Sequence, residues 1–131
     1  IVDIYMPDCK FADDETGERL AGARGYSTVA QAVIQEMHRQ VGDLVTEDSG
    51  ISQRGLILRH LVMPNRLDDT RKVMQFIAKE ISPNTYVNVM GQYRPAHLAG
   101  KFPDLNRPLN RSEFHQAIDI AREAGLLRLA K

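Results

Sequence analysis

Three short strand-like runs, each followed by a longer segment of helical period, constrain this chain more than any other feature of it. The runs are Val2–Met6, Leu56–Met63 and Tyr86–Met90. Pro7 closes the first and Pro64-Asn65 the second, because proline has no N–H to give a ladder and belongs at strand ends. After the first run, Val29, Val33, Met37 and Val41 recur every fourth residue beside Ala30 and Ile34. That spacing predicts an amphipathic helix opened by Ser27 as N-cap and stopped by Gly42. After the second, Asp68 caps a helix whose Val73, Ile77 and Ile81 share a face, with Met74 and Phe76 near it, and Ser82-Pro83-Asn84 breaks it. After the third, Asn110 and Glu113 stand at capping-box spacing. Phe114, Ala117, Ile118, Ala121 and Ala124 then form a stripe that ends at Gly125, and Leu126–Leu129 suits a short final strand.

Strand–helix alternation of this kind implies right-handed crossovers and an α/β fold with a mainly parallel sheet. The second run is almost wholly apolar, as a strand covered on both faces should be. Three consecutive βα units make a small sheet with open edges that want partners. The pattern predicts the C-terminal half of a larger barrel or wound sheet, in which ligands meet the C-terminal strand ends. A length of 131 residues suits one domain. A strand at the first residue, with no initiator Met, is expected of a piece of a longer protein. The polar stretch Ala12–Gly25 reads as a long loop.

Seventeen Lys and Arg balance seventeen Asp and Glu, so the basic excess that drives nucleic-acid binding through counterion release is missing. No run approaches the roughly 20 apolar residues that cross a bilayer, and no secretory signal is visible. One cysteine, Cys9, permits neither an internal disulfide nor a multi-cysteine cage. A cytoplasmic location is the expectation. His38, His60, His97 and His115 show no ligand-like spacing, and Asp13-Asp14-Glu15 lacks the alternation of a calcium loop. No glycine-rich phosphate loop or nucleophile elbow occurs.

The chemistry-bearing side chains gather at the strand ends. Asp8 and Lys10 are two apart, so in extended chain they point the same way and opposite to Cys9. They read either as a local ion pair or as groups that hold the hydroxyls and charges of a small ligand. Arg59 interrupts an apolar strand and needs a carboxylate, a ligand or water. His60, its neighbour, points to the other face as a core histidine. Cys9 reads as a buried thiol, or as a nucleophile whose thiolate Lys10 would favour.

Four phrases in order carry a resemblance. They are Asp3-Ile4-Tyr5-Met6-Pro7-Asp8-Cys9-Lys10, Glu36–Gly42, Arg54–Pro64 and Tyr86–Pro95. They resemble the radical S-adenosylmethionine proteins related to the pyruvate formate-lyase activating enzyme, and the resemblance runs over nearly the whole chain. The resemblance implies a partial (β/α)6 barrel, of which this chain would supply the fourth to sixth strands. In that family a [4Fe-4S] cluster on three cysteines reduces S-adenosylmethionine, and the resulting 5′-deoxyadenosyl radical abstracts hydrogen, in activases from a glycine of a glycyl-radical enzyme. Asp8 and Lys10 match the family's contacts to the amino-acid part of the cofactor. Arg59 matches a residue close to it, and Leu61 an adjoining apolar contact. Tyr93 falls where the family often has a histidine. The Cys-x3-Cys-x2-Cys motif and the Gly-Gly-Glu segment are absent from these residues. The expectation is an enzyme only with its missing N-terminal half, and a chain that by itself holds neither cluster nor cofactor well. The competing expectations are a free-standing α/β ligand-binding or interaction domain, and a homodimer through the open sheet edge.

Overall fold

The computed structural model describes residues 3–21, 24–93 and 105–130, with the backbone alone described for residues 19–21. Eight elements alternate along it: β1 (Ile4–Tyr5), α1 (Asp14–Ala21), α2 (Tyr26–Val41), β2 (Val45–Thr46), β3 (Ser52–Leu61), α3 (Leu67–Phe76), β4 (Tyr86–Met90) and α4 (Arg111–Glu123). The sheet is mixed. β3 is its axis, parallel to β1 on one side and to β4 on the other, and β2 folds back antiparallel onto the first residues of β3. Past β4, Leu129 pairs in parallel with Val87, so the expected final strand exists as a single bridge.

Side chains alternate along β3 and β4, and that alternation assigns the two faces of the sheet. Leu56, Leu58, Val62, Val87 and Val89 form one cluster with Ile34 of α2, Val73 and Met74 of α3, and Ala117, Ile120 and Ala121 of α4. All three long helices therefore cover the same face. The opposite face shows half-buried Ile57, Arg59 and Leu61 on β3 and Tyr86, Asn88 and Met90 on β4. No element among the described residues covers it. Both faces of β3 were expected to be covered; one is.

Gly55 explains how β2 and the end of α2 approach the axis. It holds φ +119°, and a Cβ there would stand 2.5 Å from Leu44 Cα and 2.7 Å from the Asp43 carbonyl carbon. Only glycine accepts both the angle and the contact. α3 ends in one π-type turn, Ile77–Ile81, closed by the Ser82 N–H donating to the Ile77 carbonyl. Pro83 forces Ser82 into extended backbone and stops the helix there.

Several expectations are corrected. Ala12–Gly25 is not simply a loop: α1 forms inside it, because the Asp13 carboxylate accepts from the Thr16 N–H and acidic residues occupy the first turn. Ser27 is not the N-cap of α2. Gly25 takes that place at φ +69°, and the buried Ser27 hydroxyl donates to the Phe11 and Asp13 carbonyls instead. Arg66, not Asp68, precedes α3, and Asp68 lies in its first turn. The expected stripe of α2 is only partly inside. Ile34 is buried and Met37 and Val41 pack on the core, but Val29 and Val33 are 63% and 44% exposed. The first strand is shorter than read, with Val2 outside the described residues, as are His97 and the segment 94–104.

Candidate functional site

The candidate site is the uncovered face of the sheet. In the parallel register Asp8 pairs with Arg59, and Arg59 pairs with Asn88. Partners in a parallel ladder project from the same face, with strands about 4.8 Å apart. Asp8, Arg59 and Asn88 thus form a polar row across the sheet. Ile57 and Tyr86 form the row beneath it, and Leu61 and Met90 the row above, toward the C-terminal strand ends. A polar strip between two apolar ones suits a ligand that has both characters.

Arg59 has found its carboxylate. Its Nε lies 2.9 Å from Asp8 Oδ1, each side chain 38% exposed. Both atoms are shielded from solvent but not aligned as a hydrogen bond. The ion pair is therefore close but loose. Arg59 Nη1 meets only the Met6 sulfur, at 3.9 Å. Asn88 is half-buried, and its amide makes no hydrogen bond among the described residues. Lys10 is exposed and forms no ion pair among them. Asp8 therefore turns to Arg59 rather than to Lys10. Tyr93 lies past the end of β4, and its hydroxyl donates to the Leu105 carbonyl at 2.9 Å. Of the five residues expected at a cofactor, the structure brings Asp8, Arg59 and Leu61 together on one face. Lys10 stands nearby in sequence, and Tyr93 fixes the chain beyond the strand.

The other face is structural. His60 Nδ1 lies 2.8 Å from the Cys9 carbonyl and Nε2 lies 2.9 Å from Thr70 Oγ1. A carbonyl only accepts, so Nδ1 carries the proton and Nε2 accepts from threonine. Burial pushes the His60 pKa down and keeps the ring neutral. Cys9 is 2% exposed, and burial, aided by the Asp69 charge, pushes its thiol up to about 12. A thiol held protonated is neither a nucleophile nor a ready metal ligand. Among the described residues no group of three or more His, Cys, Asp or Glu side chains could hold a metal ion. A cofactor carrying a carboxylate, hydroxyls and an apolar body fits the open face, since Arg59 and Asn88 retain hydrogen-bonding capacity there.

A knot ties the turn after β3 to the N-terminus of α4. The Arg107 guanidinium donates to both Glu113 oxygens at 2.7 and 3.0 Å. The Asn65 and Asn110 N–H groups donate to the same carboxylate at 3.0 and 3.2 Å, and the Glu113 N–H donates in return to Asn110 Oδ1 at 2.8 Å. Arg107 and these backbone donors hold the Glu113 carboxyl down at about 2. Asn65, at φ +60°, takes the left-handed conformation that asparagine tolerates. Sequence reasoning found the capping box but missed Arg107 and Asn65, whose contact joins segments 42 residues apart. It also missed Asn88, whose only signal was a polar residue inside an otherwise apolar strand.

No protein-family model matches the chain, and no solved structure matches it. It is 39% identical over 127 residues to an uncharacterized protein of Methanocaldococcus jannaschii. That alignment takes in 96% of this chain but 33% of the relative, so the chain spans about a third of the length of the curated protein it matches. No helix among the described residues is long and apolar enough to cross a membrane.

Proposed function

We propose that this chain is the C-terminal half of a radical S-adenosylmethionine enzyme related to the glycyl-radical activases, contributing the fourth to sixth strands of a partial (β/α)6 barrel. The observation that carries the reading is the sheet with two unlike faces. Its parallel strands follow one another in chain order, all long helices lie on one side, and the other side bears a polar row at the expected cofactor residues Asp8 and Arg59. A closed or partly closed barrel puts its helices outside and its ligand-binding side chains inside.

The edge of the sheet supports the same reading. Among the described residues β1 pairs with β3 alone, and Val29 and Val33 of α2 are left 63% and 44% exposed. Val29 and Val33 border a groove of about 390 Å³ that Pro7, Asp8 and Tyr26 also line. The occupant that fits is a strand followed by a helix. The strand would take the free edge of β1 and the helix would cover α2, as the N-terminal half of the barrel would do. That half would also supply the three cysteines that this chain lacks.

In the assembled enzyme the cofactors supply the radical chemistry. This chain's own task is to bind and orient. Arg59 offers a cation to a carboxylate, Asp8 holds Arg59 across the strands, and Leu61 and Met90 flank the ligand and keep water from it. The full-length reading frame tests the proposal. It should contain a Cys-x3-Cys-x2-Cys motif before Ile1, and its anaerobically purified product should carry four iron and four sulfide per chain, the cofactor load of such enzymes. A start codon close before Ile1, or a product without iron, refutes it.

A further inference from the structure

The register of β1 on β3 continues past Tyr5 through the Asp8–Arg59 bridge, so Met6 and Asp8, two residues apart, project from the same face. Both reach one guanidinium. Arg59 Nε lies 2.9 Å from Asp8 Oδ1, and Nη1 lies 3.9 Å from the Met6 sulfur. The carboxylate anchors the side chain at Nε, whereas a thioether is only a weak acceptor for Nη1. Of the five methionines, Met6 alone is exposed, at 54%, while Met74 is fully buried. An exposed thioether is open to oxidation to the sulfoxide. Hydrogen peroxide transfers one oxygen atom to the sulfur: an S–O bond forms, the O–O bond breaks and water leaves, so the sulfur gives up two electrons and the peroxide takes them. The sulfoxide oxygen is a strong acceptor. On a sulfur already 3.9 Å from Nη1 it comes within hydrogen-bond reach of that N–H.

Resting on the reading of Arg59 as the cation that meets a ligand carboxylate, we propose that Met6 is a redox-sensitive switch of the site. Reduced, it leaves Arg59 Nη1 to the ligand; as the sulfoxide, it takes that N–H and weakens ligand binding. The experiment has two arms, both on the full-length, anaerobically purified protein. In the first, dilute hydrogen peroxide is added and peptide mass spectrometry follows the gain of one oxygen at each methionine. Met6 should oxidise first, well ahead of Met74, and methionine sulfoxide reductases with a thiol reductant should reverse the change. The second arm needs no oxidant. Glutamine carries a carbonyl close to where the sulfoxide oxygen stands, and leucine supplies the bulk without an acceptor. Isothermal titration with S-adenosylhomocysteine should give wild-type affinity for Met6→Leu and about tenfold weaker binding for Met6→Gln, the size of one hydrogen bond to a charged group. Ligand-free melting temperatures within about 2 °C of wild type show that both variants fold.

Wild-type affinity in Met6→Gln, or oxidation of Met74 as fast as that of Met6, overturns the switch and leaves the cofactor reading standing. Equal weakening in Met6→Leu overturns it as well, since bulk and not an acceptor is then at work. A wild-type protein that does not bind the probe overturns both. If Met6→Gln melts early, peroxide-treated wild type is titrated against peroxide-treated Met6→Leu, and equal affinities there overturn the switch.

Discussion

Removing the carboxylate of Glu113 should loosen the contact between the turn after β3 and the N-terminus of α4. Glu113 is 8% exposed and receives four donors: two from Arg107 and one each from the backbone of Asn65 and Asn110. Glu113→Gln keeps the shape but turns one acceptor into a donor facing N–H groups. A hydrogen bond to a charged group contributes about 1.5–3 kcal/mol, and the capping interaction about 1 kcal/mol. Arg107 keeps access to water, since its side chain is 38% exposed, so it does not become a buried orphan charge and the upper end of that range is not reached. The expected loss is about 2–3 kcal/mol, a large share of the 5–15 kcal/mol typical of a domain. Urea unfolding followed by circular dichroism reads it as a shifted midpoint at unchanged slope. The pH dependence gives a second check. The folded carboxyl lies at about 2 against an ordinary 4.5, so its contribution is complete above the ordinary value and is lost as pH falls from 4.5 toward 2. The difference between wild type and Glu113→Gln should shrink across that window. A difference under about 0.5 kcal/mol near neutrality, the level of a plain surface change, or one that persists undiminished to acid pH, refutes the account.

Gly55→Ala should cost about 3 kcal/mol or more, from a positive φ that alanine resists and from backbone overlap with Asp43 and Leu44; a thermal melt within 2–3 °C of wild type, about half a kcal/mol, contradicts it. Cys9 should react with a thiol reagent about a thousandfold more slowly in the folded chain than in the unfolded one, because its thiol moves from 9.0 to about 12 and the thiolate is the reactive form; comparable rates with and without denaturant would show the core open at β1.

The order of the parallel strands and the three long helices was written in the residues, because hydrophobic period and end signals are local; α1 and β2 were not read there. The capping box at Asn110 and Glu113, the break at Pro83 and the strand Tyr86–Met90 stand where the sequence places them. His60 as a satisfied core histidine was legible from its alternation with Arg59, and so was the need of Arg59 for a partner. Which carboxylate it would take was not. Lys10 is two residues from Asp8, and only the parallel register of β1 on β3 brings Arg59, 51 residues away in the chain, close enough to win.

The α2 stripe shows the limit most clearly. Val29, Val33, Ile34, Met37 and Val41 share a period, and period alone marks them all as inward. Burial depends on what stands opposite, and opposite Val29 and Val33 no described element stands. By itself the sequence determined the three long helices, the parallel strands and the residue types each face would carry, since those follow from nearest neighbours along the chain, but not α1 or β2. The tertiary structure decided which face stays open, which charges meet and that Asn88 joins their row, since those follow from strands aligned across distances that no local signal spans.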